Sequence, residues 1–225
     1  MQPATGNNRP CADQTTYLSD LCRELERPWP GNRTITIACH GHSVPAGYFK
    51  TPVVESFNAY PHLVHRLIKQ RFPYAVVNVI VTAIGGEHST SGGRRFKCDV
   101  LSLRPDVVTI DYALNDRRIE LDQARQNWHR MIEEAKQGQI KVILLTPTPD
   151  TAANLQDPAD PLNRHADQVR SLAAEHGVGL ADSLAAFERV IVRGTPLDEL
   201  MSVPNHPNRR GHDLVADELI RWWQA

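Results

Sequence analysis

A serine that follows a short apolar run is the first residue in this sequence whose type and position could do chemistry. Ser43 lies in a glycine-bearing turn directly after the β-rich run 34–39. In an open α/β sheet, ligands bind outside the carboxyl ends of the strands, so a hydroxyl at this point is well placed to react. A serine hydroxyl is a weak nucleophile until a neighbouring base takes its proton. Ser43 is therefore a candidate nucleophile that needs a base from elsewhere in the chain.

The best candidate for that base lies near the other end of the chain. His206 belongs to the segment 205–208, which precedes an amphipathic run over 211–223, so its imidazole is expected on a loop leading into the last helix. A third polar segment, 111–116, closes the apolar run 106–110. The sequence thus predicts that three strand-end or loop segments meet at one edge of a sheet.

The Gly-x-Ser pattern at 41–43 is weak evidence by itself. In the nucleophile elbow of α/β-hydrolases, a second glycine stands two places after the serine and permits a strained turn, but here that place holds Pro45. The α/β-hydrolase fold is therefore disfavoured. A serine that only caps a helix or closes a turn gives the same pattern, so both interpretations stay open for Ser43 taken alone.

The elements that must position these residues alternate between strand and helix. The predicted strands cover 34–39, 75–83, 106–111, 140–145 and 178–181, and the predicted helices cover 17–25, 55–72, 95–103, 117–137, 162–175, 183–192 and 211–223. Such alternation implies right-handed crossovers and helices on both faces of a parallel sheet. The predicted fold class is α/β, a flavodoxin-like three-layer α/β/α sandwich with a five-stranded parallel sheet in the order 2-1-3-4-5.

Four segments of this pattern carry more specific expectations. The β-branched run 75–83 is typical of a strand covered on both faces. Pro61, inside the predicted helix 55–72, indicates either a kink or the true start of that helix. The glycine-rich segment 84–93 and the proline-rich segment 146–161 are predicted to be loops, the second of a length that is often used for binding.

Four short blocks follow one another along the chain, and no block is specific by itself. The blocks are Gly41-His42-Ser43 with Gly47, Gly86 with Ser89, Thr90 and Gly92-Gly93, Ala113-Leu114-Asn115-Asp116, and His206-Pro207-Asn208 with Gly211. In this order they resemble the blocks of the SGNH or GDSL hydrolases, the GDSL-like lipase/acylhydrolase family, and the match spans roughly residues 34 to 223. The resemblance implies the SGNH hydrolase fold and a carboxylic ester hydrolase that works without a cofactor.

The resemblance also implies roles for particular residues. Ser43 would attack an ester carbonyl, and His206 would accept its proton and later deliver it to the departing alcohol. The oxyanion hole would consist of the backbone N–H groups of Ser43 and Gly86 and the side-chain amide of Asn115, with Gly85 as a competing assignment for Gly86.

The expected substrate is a small ester with a short acyl group, first an acetyl group on a carbohydrate. A lipase, a thioesterase or a lysophospholipase is the alternative within the same family. An alternative from another class is a catalytically weakened relative that binds acetylated sugars.

Three departures from the family pattern bear on these roles. The residue before the serine, usually aspartate, is His42, and the glycine of the third block is Ala113. The aspartate expected three residues before the histidine is Val203, so the carboxylate that usually orients the imidazole is missing. The candidates to replace it are the Asn205 side chain, a backbone carbonyl of the loop 198–205, or a carboxylate such as Asp198. A Ser–His pair oriented by a neutral acceptor is the favoured hypothesis.

Bulk properties narrow the classes of partner. A length of 225 residues suits one α/β domain, which we predict as an N-terminal extension over 1–30 and a catalytic domain over 31–225. A formal net charge of −1 gives no electrostatic case for a nucleic-acid or anionic-membrane partner. Four scattered cysteines and an N-terminus without an apolar targeting segment lead us to expect a cytoplasmic protein. The sequence does not indicate an oligomeric state.

Two histidine pairs have spacings that suit metal ligands. His40 and His42 are two residues apart, and His62 and His65 have helical spacing. Neither pair has a clear third ligand in the sequence, so we expect no metal site. Trp222 and Trp223 are expected to pack in the last helix rather than to form a platform for a sugar.

Overall fold

A computed structural model of the 225-residue chain describes residues 11–224. Its centre is a sheet of five parallel strands, namely β1 Thr34–Gly41, β2 Val76–Val81, β3 Val107–Asp111, β4 Lys141–Leu145 and β5 Gly179–Ala181. Their spatial order is β2-β1-β3-β4-β5. The flavodoxin-like fold predicted from the sequence is confirmed, with the predicted strand order.

Nine α-helices lie along residues 11–224 and complete the three layers. They are α1 Ser19–Leu25, α2 Ser43–Ala46, α3 Tyr60–Arg71, α4 Ser89–Asp99, α5 Ala113–Asp116, α6 Leu121–Gln137, α7 Pro161–His176, α8 Ser183–Val192 and α9 Arg209–Ile220. Three 3-10 turns occur at Ser56–Asn58, Leu101–Leu103 and Leu197–Leu200, and an antiparallel ribbon pairs β6 Met201–Val203 with β7 His206–Pro207.

Two apolar clusters hold the helices against the sheet. One cluster takes its buried side chains chiefly from α1, α3, α8 and α9, and the other takes them from α4, α6 and most of α7. Each large aliphatic or aromatic side chain buried in this way stabilises the fold by roughly 1.5–3 kcal/mol. The helices are thereby held against both faces of the sheet, and the carboxyl edge of the sheet remains free for a site.

The register of the central strands aligns their carboxyl ends. Gly41, the last residue of β1, pairs with Asp111, the last residue of β3. Every residue of β3 is buried, as expected for the middle of a parallel sheet. The segments that follow these two strands therefore begin side by side.

The prediction that 75–83 is covered on both faces is wrong. Strand β2 lies at the edge of the sheet beside β1, and several of its side chains are exposed or half-buried, including Val76. A β-branched run reflects local preference for an extended backbone, which an edge strand shares with a central one.

Two predicted helix boundaries are also resolved by the structure. Pro61 lies in the first turn of α3, where its missing N–H costs nothing, so it marks a helix start and not a kink. Helix α4 begins at Ser89, six residues before the predicted start, and it includes Gly92 and Gly93 from the predicted loop. A Cβ on Gly92 would lie 2.2 Å from the Tyr112 hydroxyl, so this glycine serves close packing rather than a turn.

The N-terminal segment packs on the domain from residue 12 onward. The Ala12 N–H donates to the Val178 carbonyl, and the Tyr17 hydroxyl bonds to the backbone of Val142. Leu21 and Leu25 of α1 are buried. Residues 1–10 of the predicted N-terminal extension lie outside the described residues, and the domain division at residue 30 stays a prediction.

The proline-rich segment 146–161 is irregular, as expected, until α7 begins at Pro161 with Asp160 as its N-cap. No helix of the described residues combines the length and apolar character needed to cross a bilayer.

Candidate active site

Ser43 is placed at the carboxyl edge of the sheet by a tight junction between β1 and α2. Gly41 ends the strand, and a Cβ at that position would lie 2.5 Å from the Asp111 carbonyl, so only glycine allows the two strand ends to approach this closely. His42 then caps α2 by accepting a hydrogen bond from the Val44 N–H. Ser43 is the first helical residue, with its side chain largely buried at the rim.

Asn115 reaches the same edge from the segment that follows β3. It lies in the short helix α5, and its Nδ2 donates to the Glu87 carbonyl at 2.8 Å. The neighbouring Asp116 accepts hydrogen bonds from the Ser89 N–H and the Trp128 indole, both at 2.7 Å. Burial raises the pKa of Asp116. Asp116 therefore ties α4, α5 and α6 together, and Asn115 presents its amide to the cleft.

His206 is held by the β6–β7 ribbon rather than by the loop predicted from the sequence. The Ser202 hydroxyl donates to the His206 carbonyl at 3.0 Å, and Asn208 caps α9 by accepting from the Arg210 and Gly211 N–H groups. The ribbon therefore holds the backbone of His206 itself, and the Asn208 cap holds the residues that follow it. The position of the imidazole does not depend on a mobile loop.

The three segments meet as predicted, and the serine and histidine side chains are in hydrogen-bond contact. The distance from Ser43 Oγ to His206 Nε2 is 2.9 Å, and His206 Nδ1 lies 3.0 Å from the Phe49 carbonyl oxygen. A carbonyl only accepts, so Nδ1 carries the proton and Nε2 presents its lone pair to the serine hydroxyl. This tautomer is the one that a base for Ser43 requires.

The partner of Nδ1 differs from every candidate drawn from the sequence. It is the Phe49 carbonyl, and not Asn205, Asp198 or a carbonyl of the loop 198–205. Asn205 lines the cleft instead. The Phe49 ring stacks on His212 with centroids 4.9 Å apart, which anchors the loop that carries the carbonyl. Because every residue has a backbone carbonyl, no signal in the sequence could have identified this one.

Burial governs the electrostatics of His206. It lowers the pKa of the imidazole, while the hydrogen bond to the Phe49 carbonyl acts in the opposite direction. No carboxylate oxygen of residues 11–224 lies within 4.0 Å of either ring nitrogen. The neutral imidazole is therefore favoured, and it is the form that accepts a proton.

The site opens into a cleft of about 340 Å³ with a mainly polar lining. Its walls are formed by Ser43, Tyr48, Thr51, Gly85, Gly86, Asn115, Arg118, Asn205 and His206. Gly86 has a φ of +80°, which favours glycine, and a Cβ on Gly85 would lie 3.0 Å from the Tyr48 ring. Both glycines of the pair are needed, for different reasons, and both border the place where an ester would bind.

Among the described residues, neither histidine pair considered from the sequence belongs to a group of three potential metal ligands. His40 turns its nitrogens to Thr82 Oγ1 and to the Gly92 carbonyl, whereas His42 faces Ser43 and Asp111. A group that sequence spacing did not reveal, His129 with Glu175 and His176, has potential ligand atoms within 4.8 Å of one another. It lies on α6 and α7, and none of its members lines the cleft.

A parallel three-layer sandwich that brings a serine, an imidazole and an amide to one edge of its sheet defines the class of SGNH-type hydrolases. A model of the GDSL-like lipase/acylhydrolase family matches residues 39–214. The chain therefore belongs to this family and is a carboxylic ester hydrolase.

Relatives and solved structures agree with this assignment. An acetylxylan esterase of Geobacillus stearothermophilus is 26% identical over 171 residues, which cover 69% of this chain and 76% of that protein. The crystal structure of Axe2, an acetylxylan esterase from the same organism, superposes with a TM-score of 0.74 at 22% identity, covering 85% of this chain and 94% of Axe2. LAE5, an alpha/beta hydrolase from the metagenome of Lake Arreo in Spain, gives 0.69 at 21% identity, covering 84% and 94%. These two structural likenesses show the shared fold.

Proposed function

We propose that this protein hydrolyses short acyl esters, with acetyl groups on carbohydrates as its substrates, and that Ser43 and His206 carry the reaction. The observation that carries the proposal is the 2.9 Å contact between Ser43 Oγ and His206 Nε2, in the tautomer fixed by the Phe49 carbonyl. A nucleophile and a base within this distance are ready for proton transfer.

The reaction proceeds in two halves. As Ser43 Oγ attacks the ester carbonyl, its proton passes to His206 Nε2 and the carbonyl π electrons move to the oxygen. The imidazolium then gives that proton to the alcohol oxygen as the C–O bond breaks, which leaves an acyl-serine. In the second half, His206 takes a proton from water as the water oxygen attacks the acyl carbon. The bond from the acyl carbon to Ser43 Oγ then breaks, Oγ takes the proton from His206, and the carboxylic acid leaves.

The oxyanion of each tetrahedral intermediate is stabilised by three donors in this proposal. These are the backbone N–H of Ser43, the backbone N–H of Gly86 and the side-chain amide of Asn115. One Asn115 N–H is bound to the Glu87 carbonyl, which orients the amide so that its second N–H is available to the cleft. Loss of one such donor commonly costs about 100- to 1,000-fold in kcat.

The Phe49 carbonyl takes the place that a carboxylate holds in a Ser-His-Asp triad. It fixes the ring orientation and keeps the proton on Nδ1, as an aspartate would. A neutral carbonyl carries only a partial negative charge, so it stabilises the imidazolium less than an ionised carboxylate at the same distance. His206 is thus well oriented as a base but lacks a countercharge at Nδ1.

The choice of substrate rests on the cleft and on the relatives. Tyr48, Thr51, Asn205 and Arg118 give the cleft hydrogen-bonding walls, and its volume of about 340 Å³ suits a small polar ester better than a long acyl chain. A curated relative of this chain is an acetylxylan esterase, and Axe2, whose fold the chain shares, is described in the same way. Trp222 and Trp223 are buried, so neither forms a sugar platform at the surface.

The test is a comparison of acyl chain lengths. We expect kcat/KM for p-nitrophenyl esters to fall from acetate to butyrate to octanoate, and we expect acetate release from acetylated xylo-oligosaccharides. Ser43→Ala should reduce kcat by about 10⁴-fold or more, because the nucleophile is lost. Ser102→Ala removes an exposed serine hydroxyl outside the cleft and serves as the matched control. A preference for octanoate, or undiminished turnover by Ser43→Ala, contradicts the proposal.

A further inference from the structure

The hydroxyl of Ser43 faces two imidazoles, and the mechanism above uses only one of them. His206 Nε2 is 2.9 Å from Ser43 Oγ, and His42 Nδ1 is 3.5 Å from the same atom. His42 has no exposed surface, whereas His206 borders the cleft. The contacts of the other ring nitrogen of His42, Nε2, decide whether this imidazole can accept a proton from Ser43.

The hydrogen bonds of His42 fix its tautomer. Its Nδ1 accepts the Val44 N–H at 3.3 Å, so Nδ1 is unprotonated and Nε2 carries the proton. Nε2 lies 3.3 Å from Oδ1 of Asp111. The angles of this contact fall short of a good hydrogen bond, yet within residues 11–224 neither of these two buried atoms has any other polar partner.

The buried carboxylate of Asp111 has few partners other than His42 that could balance its negative charge. It ends β3 directly opposite Gly41, its side chain is almost fully buried, and its Oδ2 accepts a hydrogen bond from the Tyr60 hydroxyl at 3.2 Å. In the part of the chain that the structure describes, no lysine or arginine forms an ion pair with it. A buried carboxylate without a cation is costly unless it is well hydrogen-bonded, so the Nε2–H of His42 is its natural counterpart.

Capping alone does not explain this arrangement. His88 caps α4 in the same way, by accepting the Thr90 N–H at 3.3 Å on its Nδ1. Among the described residues no carboxylate oxygen forms an ion pair with His88, so a capping imidazole needs no acid behind it. The carboxylate at His42 therefore points to a second use of this ring.

We propose that His42, backed by Asp111, is a second general base for Ser43 in the acylation step. The inference rests on the proposed function. The proton of Ser43 Oγ moves to His42 Nδ1 as the bond from Oγ to the acyl carbon forms and the carbonyl π electrons move to oxygen. The imidazolium keeps its Nε2–H on Asp111, whose negative charge stabilises it.

The two bases divide the work unequally. The longer contact to Ser43 and the loss of the Val44 hydrogen bond when Nδ1 takes the proton make His42 the weaker base. His42 is buried and cannot reach a leaving alcohol, so protonation of an alkoxide remains with His206. The second base is therefore visible with substrates whose leaving group departs as a stable anion.

Two departures from the family pattern fit this arrangement. The chain lacks a carboxylate at Val203, where the family supplies one to the distal histidine, and it has an imidazole at His42, where the family has aspartate. In this structure the buried carboxylate beside the nucleophile is Asp111, and it contacts His42. The imidazole that contacts a carboxylate is therefore that of His42, which precedes Ser43 in the chain, and not that of His206.

The experiment measures the rate at which a fluorophosphonate probe labels Ser43, because fluoride leaves without a proton. We expect His206→Asn to be labelled more slowly than the wild type but clearly faster than the Ser43→Ala background. Adding His42→Asn or Asp111→Asn to His206→Asn should lower the rate at least about 10-fold, since a positioned base contributes about 100-fold or more. Asparagine is a good N-cap, so His42→Asn keeps the helix start.

The matched control is His40→Asn in the His206→Asn background. It removes an equally buried imidazole that lies two residues before His42, in β1, and that contacts Thr82 and Gly92 and not Ser43. The labelling rate should stay within about 2-fold. Circular dichroism and thermal unfolding of each variant confirm that labelling is compared between folded proteins.

The second base is ruled out if His206→Asn and its double variants with His42→Asn or Asp111→Asn are labelled at the same rate. It is also ruled out if His206→Asn is labelled no faster than the Ser43→Ala background. Failure of the wild type to be labelled on Ser43 instead overturns the proposed function itself.

Discussion

His206 is largely buried and has no carboxylate partner among the described residues, and this shapes its titration. Its Nδ1–H is held by the Phe49 carbonyl, and burial lowers its pKa from the ordinary value of 6.5. As a base it must be neutral, and a lowered pKa keeps it neutral in more acidic solution than an exposed histidine.

The acid limb of the pH profile is expected to follow mainly the titration of His206, the stronger of the two proposed bases. We expect kcat/KM on p-nitrophenyl acetate to be constant above pH 6.5 and to fall as pH drops through the lowered pKa, so that the midpoint of the acid limb lies below 6.5. The measurement is a set of initial rates from pH 4.5 to 8, with circular dichroism to confirm folding at each pH. A midpoint above 6.5 contradicts the role of His206.

At the scale of elements, the site depends on how closely neighbouring segments approach. Gly41 lets β1 and β3 end side by side, and Gly92 lets α4 pack against Tyr112 at the end of β3. The Tyr112 ring has little freedom to move, because it is buried and its hydroxyl accepts a hydrogen bond from Arg95 at 3.3 Å. A side chain between these elements would separate the segments that carry Ser43, Gly86 and Asn115.

Gly92→Ala tests this close approach. Its Cβ would lie 2.2 Å from the Tyr112 hydroxyl, so we expect overpacking to lower the free energy of unfolding by about 1–3 kcal/mol. Gly138→Ala is the matched control, because Gly138 has a φ of −80° and the nearest atom is 3.4 Å away. The control should change stability by no more than about 0.5 kcal/mol. Urea unfolding measures both variants, and equal stabilities would contradict the packing argument.

At the scale of the whole molecule, several histidines are buried in the neutral form. Burial lowers the pKa of His40 and of His165 to about 4, and that of His212 to about 3. In the unfolded chain each would titrate near its ordinary value of 6.5. Between these values the unfolded chain binds protons that the folded protein does not bind.

Stability should therefore fall as pH decreases below about 6.5. Each of the three histidines contributes a slope of up to about 1.4 kcal/mol per pH unit to the free energy of unfolding, until the pH reaches its folded pKa. Urea unfolding at pH 7, 6, 5 and 4.5 measures this slope. His165→Gln removes one of the three groups and should reduce the slope by about 1.4 kcal/mol per pH unit. Stability that is constant from pH 7 to 5 contradicts the neutral burial of these rings.

The sequence by itself predicted the sheet and the serine–histidine pair of the candidate site. Local periodicity predicts strands and helices, since the spacing of apolar side chains reflects which face each element buries, and four motifs in order identified Ser43, Asn115 and His206 as candidates. It could not reveal that the faces of β2 are partly exposed or that Gly92 lies inside a helix, because both depend on what packs against them.

Only the tertiary structure decided which groups support the reacting pair. The Phe49 carbonyl lies 157 residues from His206 along the chain, and a backbone oxygen has no signature in the amino-acid letters. Asp111 stands in the sequence as one acid among many, and the register of β3 against β1 is what brings it to His42. Residue types set the available chemistry, and contacts distant in the chain decide which groups take part in it.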